Sequence, residues 1–275
     1  MRSTGSPSRA LRIAAVQCDV AWEDRAANLG RAARDVAAAA DQGARLVVFP
    51  EMFPTGFSMR TEVVAEPEDG PTAAFLHEQA VTRGVHVGGS FACSAAGRDR
   101  PVNRFLLAAP TGVDTVYDKL HPFSYSGEGE HYAPGREIVT TSVDGVRVTP
   151  FVCYDLRFAD VFWDAAADTD AYVVVASWPA ARKQHWRALL AARAIENQAY
   201  VVGVNRTGTG GGVAYEGGSV VFAPFGEVVG AAGTGPELLV ATVDPDEVGE
   251  VRSRYPFLAD RRRGEVARRL PASSS

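Results

Sequence analysis

The chain has 275 residues, 46% of them hydrophobic, which is enough to bury a large core, and its formal net charge of −5 argues against a general nucleic-acid binder. No charge-poor apolar run approaches the roughly 20 residues of a membrane helix. The three cysteines, Cys18, Cys93 and Cys153, are scattered and odd in number, so no disulfide framework is expected and a reducing, cytoplasmic setting fits.

Residues 1–9, small and polar, read as a disordered lead, and the apolar stretch after them stops at Gln17-Cys18-Asp19, a poor signal peptide. Leu11–Cys18 reads as a strand. Ala26–Gln42, rich in alanine with periodic Leu29, Ala33, Val36 and Ala40, reads as an amphipathic helix. Arg45–Phe49 is a strand too apolar to face water, and Pro71–Arg83 a helix with proline at its start and Gly84 just past its end. Strands follow at Val85–Cys93, Asn103–Ala109 and Asp114–Asp118. His121–Arg136 reads as the longest irregular stretch, and long ordered loops in compact domains usually carry function. A β-rich run, Val146–Cys153, precedes a helix at Phe158–Ala167, a buried strand at Ala171–Ala176, a helix at Arg182–Gln198 and a strand at Tyr200–Val204. Val213–Phe222, Glu227–Gly230 and Leu238–Val243 are expected as antiparallel strands, with Pro224-Phe-Gly226 as one of the turns. From Arg261 the chain is basic and then small and polar, and 256–275 is expected as a tail. Early strand–helix alternation and a later meander, both with strongly apolar strands, suggest sheets covered by helices on their outer faces.

Three of these strands end on reactive groups. Leu46-Val-Val-Phe-Pro50 runs into Glu51, the 114–118 strand into Lys119, and the Val146 strand into Cys153. The carboxyl ends of strands are where reacting groups gather in open α/β folds. A carboxylate, an ammonium and a thiol are the parts of a covalent acyl-transfer site. Of the 28 basic side chains only Lys119 and Lys183 are lysines, so lysine is expected where a compact ammonium serves and a broad guanidinium fork does not. Lys183, at a polar helix start, carries no such expectation.

The segments Phe49-Pro-Glu-Met-Phe-Pro-Thr-Gly-Phe57, Tyr117-Asp-Lys-Leu-His121 and Val152-Cys-Tyr-Asp-Leu-Arg-Phe158 resemble, in order and spacing, the three signature segments of the nitrilase superfamily of carbon–nitrogen hydrolases. Ala176-Ser-Trp-Pro179, Ala192-Arg-Ala-Ile-Glu-Asn-Gln198 and Val204-Asn-Arg206 extend the likeness, which covers residues 10 to 255. The resemblance is strongest to the omega-amidase branch, whose members act on small dicarboxylic monoamides such as 2-oxoglutaramate. It implies a four-layer αββα sandwich, a homodimer or larger homo-oligomer, and no cofactor.

It also implies a mechanism. Glu51 would take the thiol proton of Cys153, return it to the departing ammonia and then activate water against the thioester. Lys119 would hold the tetrahedral oxyanion together with a backbone N–H, that of Tyr154 being expected. The family places a further glutamate after the lysine. Glu128 and Glu130 both stand there, and the spacing back from Gly135 favours Glu128. Phe123, Tyr125 and Trp178 are expected to line the substrate pocket. The loop Pro122-Phe-Ser-Tyr-Ser-Gly127 departs from the family pattern at Pro122 and Ser124, which bears on acyl preference.

Blander roles are expected elsewhere. Cys18 and Cys93 read as core residues, His121 and His185-Trp186 as structural, and Asp118, Asp155 and Arg157 as ion-pair supports. The five histidines show no metal-ligand spacing, and Thr207-Gly-Thr-Gly-Gly-Gly212 lacks the helix and lysine of a phosphate loop. Rival readings on the same trio are an N-carbamoyl amine hydrolase, a nitrilase or a deaminated-glutathione amidase. From another class comes a catalytically silent oligomeric scaffold.

Overall fold

The computed structural model describes residues 9–262, so the expected lead, Arg9 apart, and residues 263–275 of the expected tail lie outside the described residues. One sheet contains β1 (Leu11–Gln17), β2 (Leu46–Val48), β3 (Glu66–Pro67), β4 (His86–Ser94), β5 (Val102–Ala108) and β6 (Thr115–Asp118). The second contains β7 (Thr141–Val143), β8 (Val146–Val152), β9 (Ala171–Ala176) and β10 (Tyr200–Asn205), a hairpin of β11 (Thr207–Gly210) and β12 (Val213–Glu216) stands apart, and β13 (Val220–Phe222) and β14 (Val228–Ala231) complete the second sheet. The chain then returns to the first sheet as β15 (Glu237–Val243), antiparallel to β1. The strand orders are β15-β1-β2-β4-β5-β6, with β3 beside β4, and β14-β13-β10-β9-β8-β7. Each sheet has a parallel centre, β1-β2-β4 in one and β8-β9-β10 in the other, with antiparallel strands at its margins.

Alternation along the strands separates the layers. Ile13, Ala15, Leu46, Val48 and Leu107 point toward the second sheet and share a core with Val148, Val173 and Val202. Ala14, Val16, Val47, Val87 and Leu106 point the other way, against helix α1 (Arg25–Asp41) and helix α3 (Pro71–Arg83), separated by the short α2 (Thr61–Val64). Asp24 caps α1 by accepting from Ala27 N at 3.0 Å, and α3 starts on Pro71 and ends at left-handed Gly84.

After α4 (Glu128–His131), helices α5 (Ala159–Ala165) and α6 (Lys183–Asn197) cover the outer face of the second sheet. Close approach of α6 depends on Gly203 in β10, where a Cβ would stand 2.4 Å from Leu190 and 2.9 Å from Trp186. The result is the expected αββα sandwich. Several elements differ from the sequence reading: α2, β3, β7 and β11 were not expected, and Val213–Phe222, read as one strand, divides into β12 and β13. The 121–136 stretch contains a 3-10 turn at Ser124–Ser126 and the one-turn helix α4, and α7 (Pro245–Arg254) follows β15 where no helix was expected. Asp244 as N-cap, Pro245 behind it and Arg252 and Arg254 in the last turn are ordinary helix signals. Beyond α7 the described chain still contacts the body, with Arg261 donating to Trp163 O at 2.9 Å and Asn197 Oδ1 at 2.8 Å.

Candidate active site

Glu51 follows β2, Lys119 follows β6 and Cys153 follows β8, so the first sheet presents an acid and an ammonium to a thiol carried by the second. Glu51 is fully buried. Its Oε1 accepts from Lys119 Nζ and from Asn103 Nδ2, both at 2.9 Å, and its Oε2 accepts from the Ser177 amide at 2.9 Å. Lys119 is 1% exposed, donates to Glu128 Oε2 at 2.8 Å and Oε1 at 3.1 Å, and lies 5.1 Å from the Phe57 ring centroid. Burial alone would drive the ammonium's pKa down, but the Glu128 and Glu51 carboxylates outweigh it and hold the pKa above its ordinary value. Glu128 is raised by burial, opposed by Lys119, and raised further by Glu51.

Glu128 reaches the lysine from the first turn of α4, and its Oε2 also accepts from Phe123 N at 2.5 Å. Glu130, two residues on, is exposed and makes no hydrogen bond to Lys119. Gly135 explains the spacing that distinguished them. Its amide donates to Lys119 O at 2.7 Å, and a Cβ there would stand 2.0 Å from the Asp118 carbonyl oxygen, so only glycine lets the loop close against the lysine strand.

Cys153 has φ of 47°, a left-handed conformation costly for a residue with a Cβ, and opens a tight 3-10 turn over residues 153–157. The turn lifts the thiol off the end of β8 and sets it beside Glu51. Burial and then the Glu51 carboxylate push the thiol well above its ordinary pKa, while Lys119 pulls the other way. The thiol therefore rests protonated beside Glu51.

Two groups brace this turn. Asp155, fully buried, accepts from Tyr117 Oη at 2.7 Å, His121 N at 2.9 Å, His121 Nδ1 at 2.8 Å and Val152 N at 3.1 Å. It thus joins the lysine strand, the following loop and the nucleophile turn. From α6, Arg193 Nη2 donates to Leu156 O at 2.8 Å.

A cavity of about 300 Å³ opens on Cys153. Phe123, Tyr125, Tyr154 and Trp178 line it, with Phe57 and Tyr215 beside them. Trp178 is buried and its backbone is held by Asn205, which accepts from Trp178 N at 2.8 Å and donates to Trp178 O at 3.1 Å. Tyr125, 86% exposed, stands at the mouth. Arg157 corrects the sequence reading. It was expected to support an ion pair, but among the described residues it has no carboxylate partner; it lies 5.0 Å over the Trp178 ring, contacts His185 Nδ1 at 3.2 Å and lines the cavity. The ion pair that was expected of Asp118 is formed with Arg104, at 2.8 and 3.1 Å.

His121 uses Nδ1 on Asp155 and stacks on Phe158 at 3.8 Å, outside the cavity lining. Trp186 packs 5.5 Å from Trp178. Cys93 is fully buried, with burial pushing its thiol to about 11, and half-buried Cys18 is pushed to about 12 by the same cause. Thr207–Gly212 forms β11 and the hairpin turn rather than a helix entry. Among the described residues, no cluster of three or more His, Cys, Asp or Glu side chains is placed to hold a metal, and no helix is long and apolar enough to cross a membrane.

Sequence reasoning missed Asn103 and assigned no role to Ser177. Asn103 donates to both carboxylates, at 2.9 Å to Glu51 and 3.3 Å to Glu128, and its carbonyl accepts from Lys119 N at 2.9 Å. An asparagine on a strand carries no signal of such a task. Ser177 lay inside a quoted motif, which was the only available hint.

Fold and site together define a hydrolase with a thiol nucleophile. Residues 12–253 match the model of the carbon-nitrogen hydrolase family, and the chain belongs to that family. It is 40% identical over 252 residues to the omega-amidase YafV of Yersinia enterocolitica, covering 91% of this chain and 96% of that one. It is 32% identical over 225 residues to the 2-oxoglutaramate amidase of Bacillus subtilis, covering 80% and 86%. Among solved structures, XC1258 of Xanthomonas campestris, a CN-hydrolase superfamily protein with an arsenic adduct in its active site, superposes with a TM-score of 0.87 at 35% identity, covering 94% of this chain and 99% of that one.

Proposed function

We propose that this chain is an omega-amidase, hydrolysing small dicarboxylic monoamides of the 2-oxoglutaramate type to the dicarboxylate and ammonia. The observation that carries the mechanism is a buried Glu51 held by Lys119, Asn103 and Ser177 and set beside the Cys153 thiol, whose pKa it raises. The names of the relatives and the cavity's basic residues support the substrate class.

Because the thiol rests protonated, its proton passes to Glu51 as sulfur attacks the amide carbon. The sulfur–carbon bond forms and the carbonyl electron pair moves to oxygen. That charge falls beside Lys119 and the amide of Tyr154 at the start of the 3-10 turn, where a preorganised donor typically contributes about 10²–10³ in rate. Glu51 then gives the proton to nitrogen, the carbon–nitrogen bond breaks, and ammonia leaves a thioester on Cys153. Water, deprotonated by Glu51, adds to the thioester, and the collapse returns the thiol. Glu128 accepts from Lys119 throughout and fixes where the ammonium points. Residues 10–255 form the catalytic unit in this reading, which works in the cytoplasm as a homodimer or larger homo-oligomer.

The test is ammonia release from omega-amides, nitriles and N-carbamoyl amines offered side by side. Omega-amides are expected to be turned over far faster than the others. A preference for nitriles or carbamoyl compounds would overturn the assignment, and no turnover of any class would return the chain to the scaffold reading.

A further inference from the structure

The cavity over Cys153 is walled chiefly by aromatic rings, and no aspartate or glutamate lines it. Into it come two guanidinium groups from separate elements. Arg157 ends the nucleophile turn, and Arg182 ends the 3-10 segment Ala180–Arg182 just before α6. Each backs onto a ring of the wall, Arg157 at 5.0 Å from the Trp178 centroid and Arg182 at 5.4 Å from that of Phe123. Both side chains are half-buried, and among the described residues neither has a carboxylate within ion-pair distance.

Of the other packed arginines, Arg104 pairs with Asp118 at 2.8 Å and Arg193 with Glu196 at 2.8 Å, while Arg252 donates to the backbone carbonyls of Gln198, Thr169 and Asn197. Two partly desolvated cations against aromatic walls, facing a space without a counter-charge, form a receptor for an anion. A guanidinium stacked on a ring keeps in-plane N–H groups suited to a carboxylate fork. Cys153 bounds the same cavity, so a short substrate with its amide at the thiol places its other end beside these groups.

We propose that Arg157 and Arg182 are the specificity determinants of the site, jointly receiving the remote carboxylate of the substrate; this rests on the amidase reading above. Their binding energy orients the amide at Cys153, so their loss lowers turnover as well as affinity.

The experiment compares glutaramate with pentanamide, two amides of equal chain length differing in the terminal carboxylate, on wild type, Arg157→Gln, Arg182→Gln and the conservative Arg→Lys pair. Each Gln variant is expected to lose about 30-fold or more in kcat/KM on glutaramate, the scale of truncating one partner of a buried charge pair. Pentanamide turnover should change little, and each Lys variant should recover part of the loss. A double Arg→Glu exchange should reverse the preference toward 5-aminopentanamide. Parallel losses on both substrates, or an unchanged glutaramate-to-pentanamide ratio in a wild type that prefers glutaramate, would overturn the arginine assignment and leave the amidase reading intact. A wild type indifferent to the terminal carboxylate would overturn both.

Discussion

The amide of Ser177 donates to Glu51 Oε2 at 2.9 Å, and the Ser177 hydroxyl donates to the Glu51 carbonyl at 3.2 Å. Ser177 follows β9 of one sheet and Glu51 follows β2 of the other, so the proposed base is fixed by a backbone donor that reaches it across the sandwich. A carboxylate with both oxygens occupied by donors presents one orientation to the thiol, which a proton carrier needs.

Cys153→Ala is expected to abolish ammonia release while leaving the melting temperature close to wild type, since it removes a single sulfur atom from a residue that borders the cavity. Cys18→Ala and Cys93→Ala should keep most activity. Steady-state assays with thermal melts check this, and substantial turnover by Cys153→Ala would end the thioester mechanism.

Replacing Glu51 should have two opposite effects. The carboxylate is among the causes that hold the Cys153 thiol above its ordinary pKa, because a thiolate beside it would be repelled. In Glu51→Gln that repulsion disappears while the Lys119 attraction stays, so the thiol becomes more acidic. The pH profile of alkylation at Cys153 should therefore shift to lower pH even as amide hydrolysis collapses. A profile that stays put or moves upward contradicts the electrostatic account.

Lys119→Arg should cost at least about 10²-fold in kcat, the scale of one oxyanion donor. Nζ sits between two carboxylates under the Phe57 ring at 1% exposure, and this enclosure has no room for a longer planar fork. Normal kinetics in this variant would remove the oxyanion role.

Glu128→Gln is expected to lower kcat severely and Glu130→Gln hardly at all, because only Glu128 touches the lysine. Equal damage from the two changes would show that the lysine contact is not what matters.

Asp155→Asn should lower both stability and kcat. All four of its partners are donors, and an amide nitrogen placed against any of them leaves a buried donor unsatisfied, at about 1–3 kcal/mol. A thermal melt measures the first effect. The second should appear as a kcat loss on glutaramate and pentanamide alike, unlike the arginine variants.

What was legible in the sequence follows from how local each signal is. Strand-end placement of Glu51, Lys119 and Cys153 came from apolar runs that stop at a polar residue, and the structure keeps all three just past strands. Assignment of Glu128 over Glu130 rested on Gly135, a local steric requirement that the Asp118 carbonyl accounts for. Asn103 was not visible because its task is set by groups 52 and 25 residues away. Arg157 misled for the complementary reason. A charged residue beside Asp155 suggests an ion pair, but Asp155 spends its oxygens on Tyr117, His121 and Val152. Helix α4 was passed over because four residues including Gly129 give no periodicity, and α7 although its cap was in plain view.

The division of the site between the two sheets makes it a gauge of interlayer spacing. Each sheet keeps its internal hydrogen bonds if one slides or tilts slightly on the other, and the melting transition would barely register the change. The links from Ser177 to Glu51 and from Cys153 to Glu51 would register it at once. Pressure, mild denaturant or a load on α6, which packs on one layer alone, therefore reaches the chemistry before it reaches the fold, and inactivation should run ahead of unfolding.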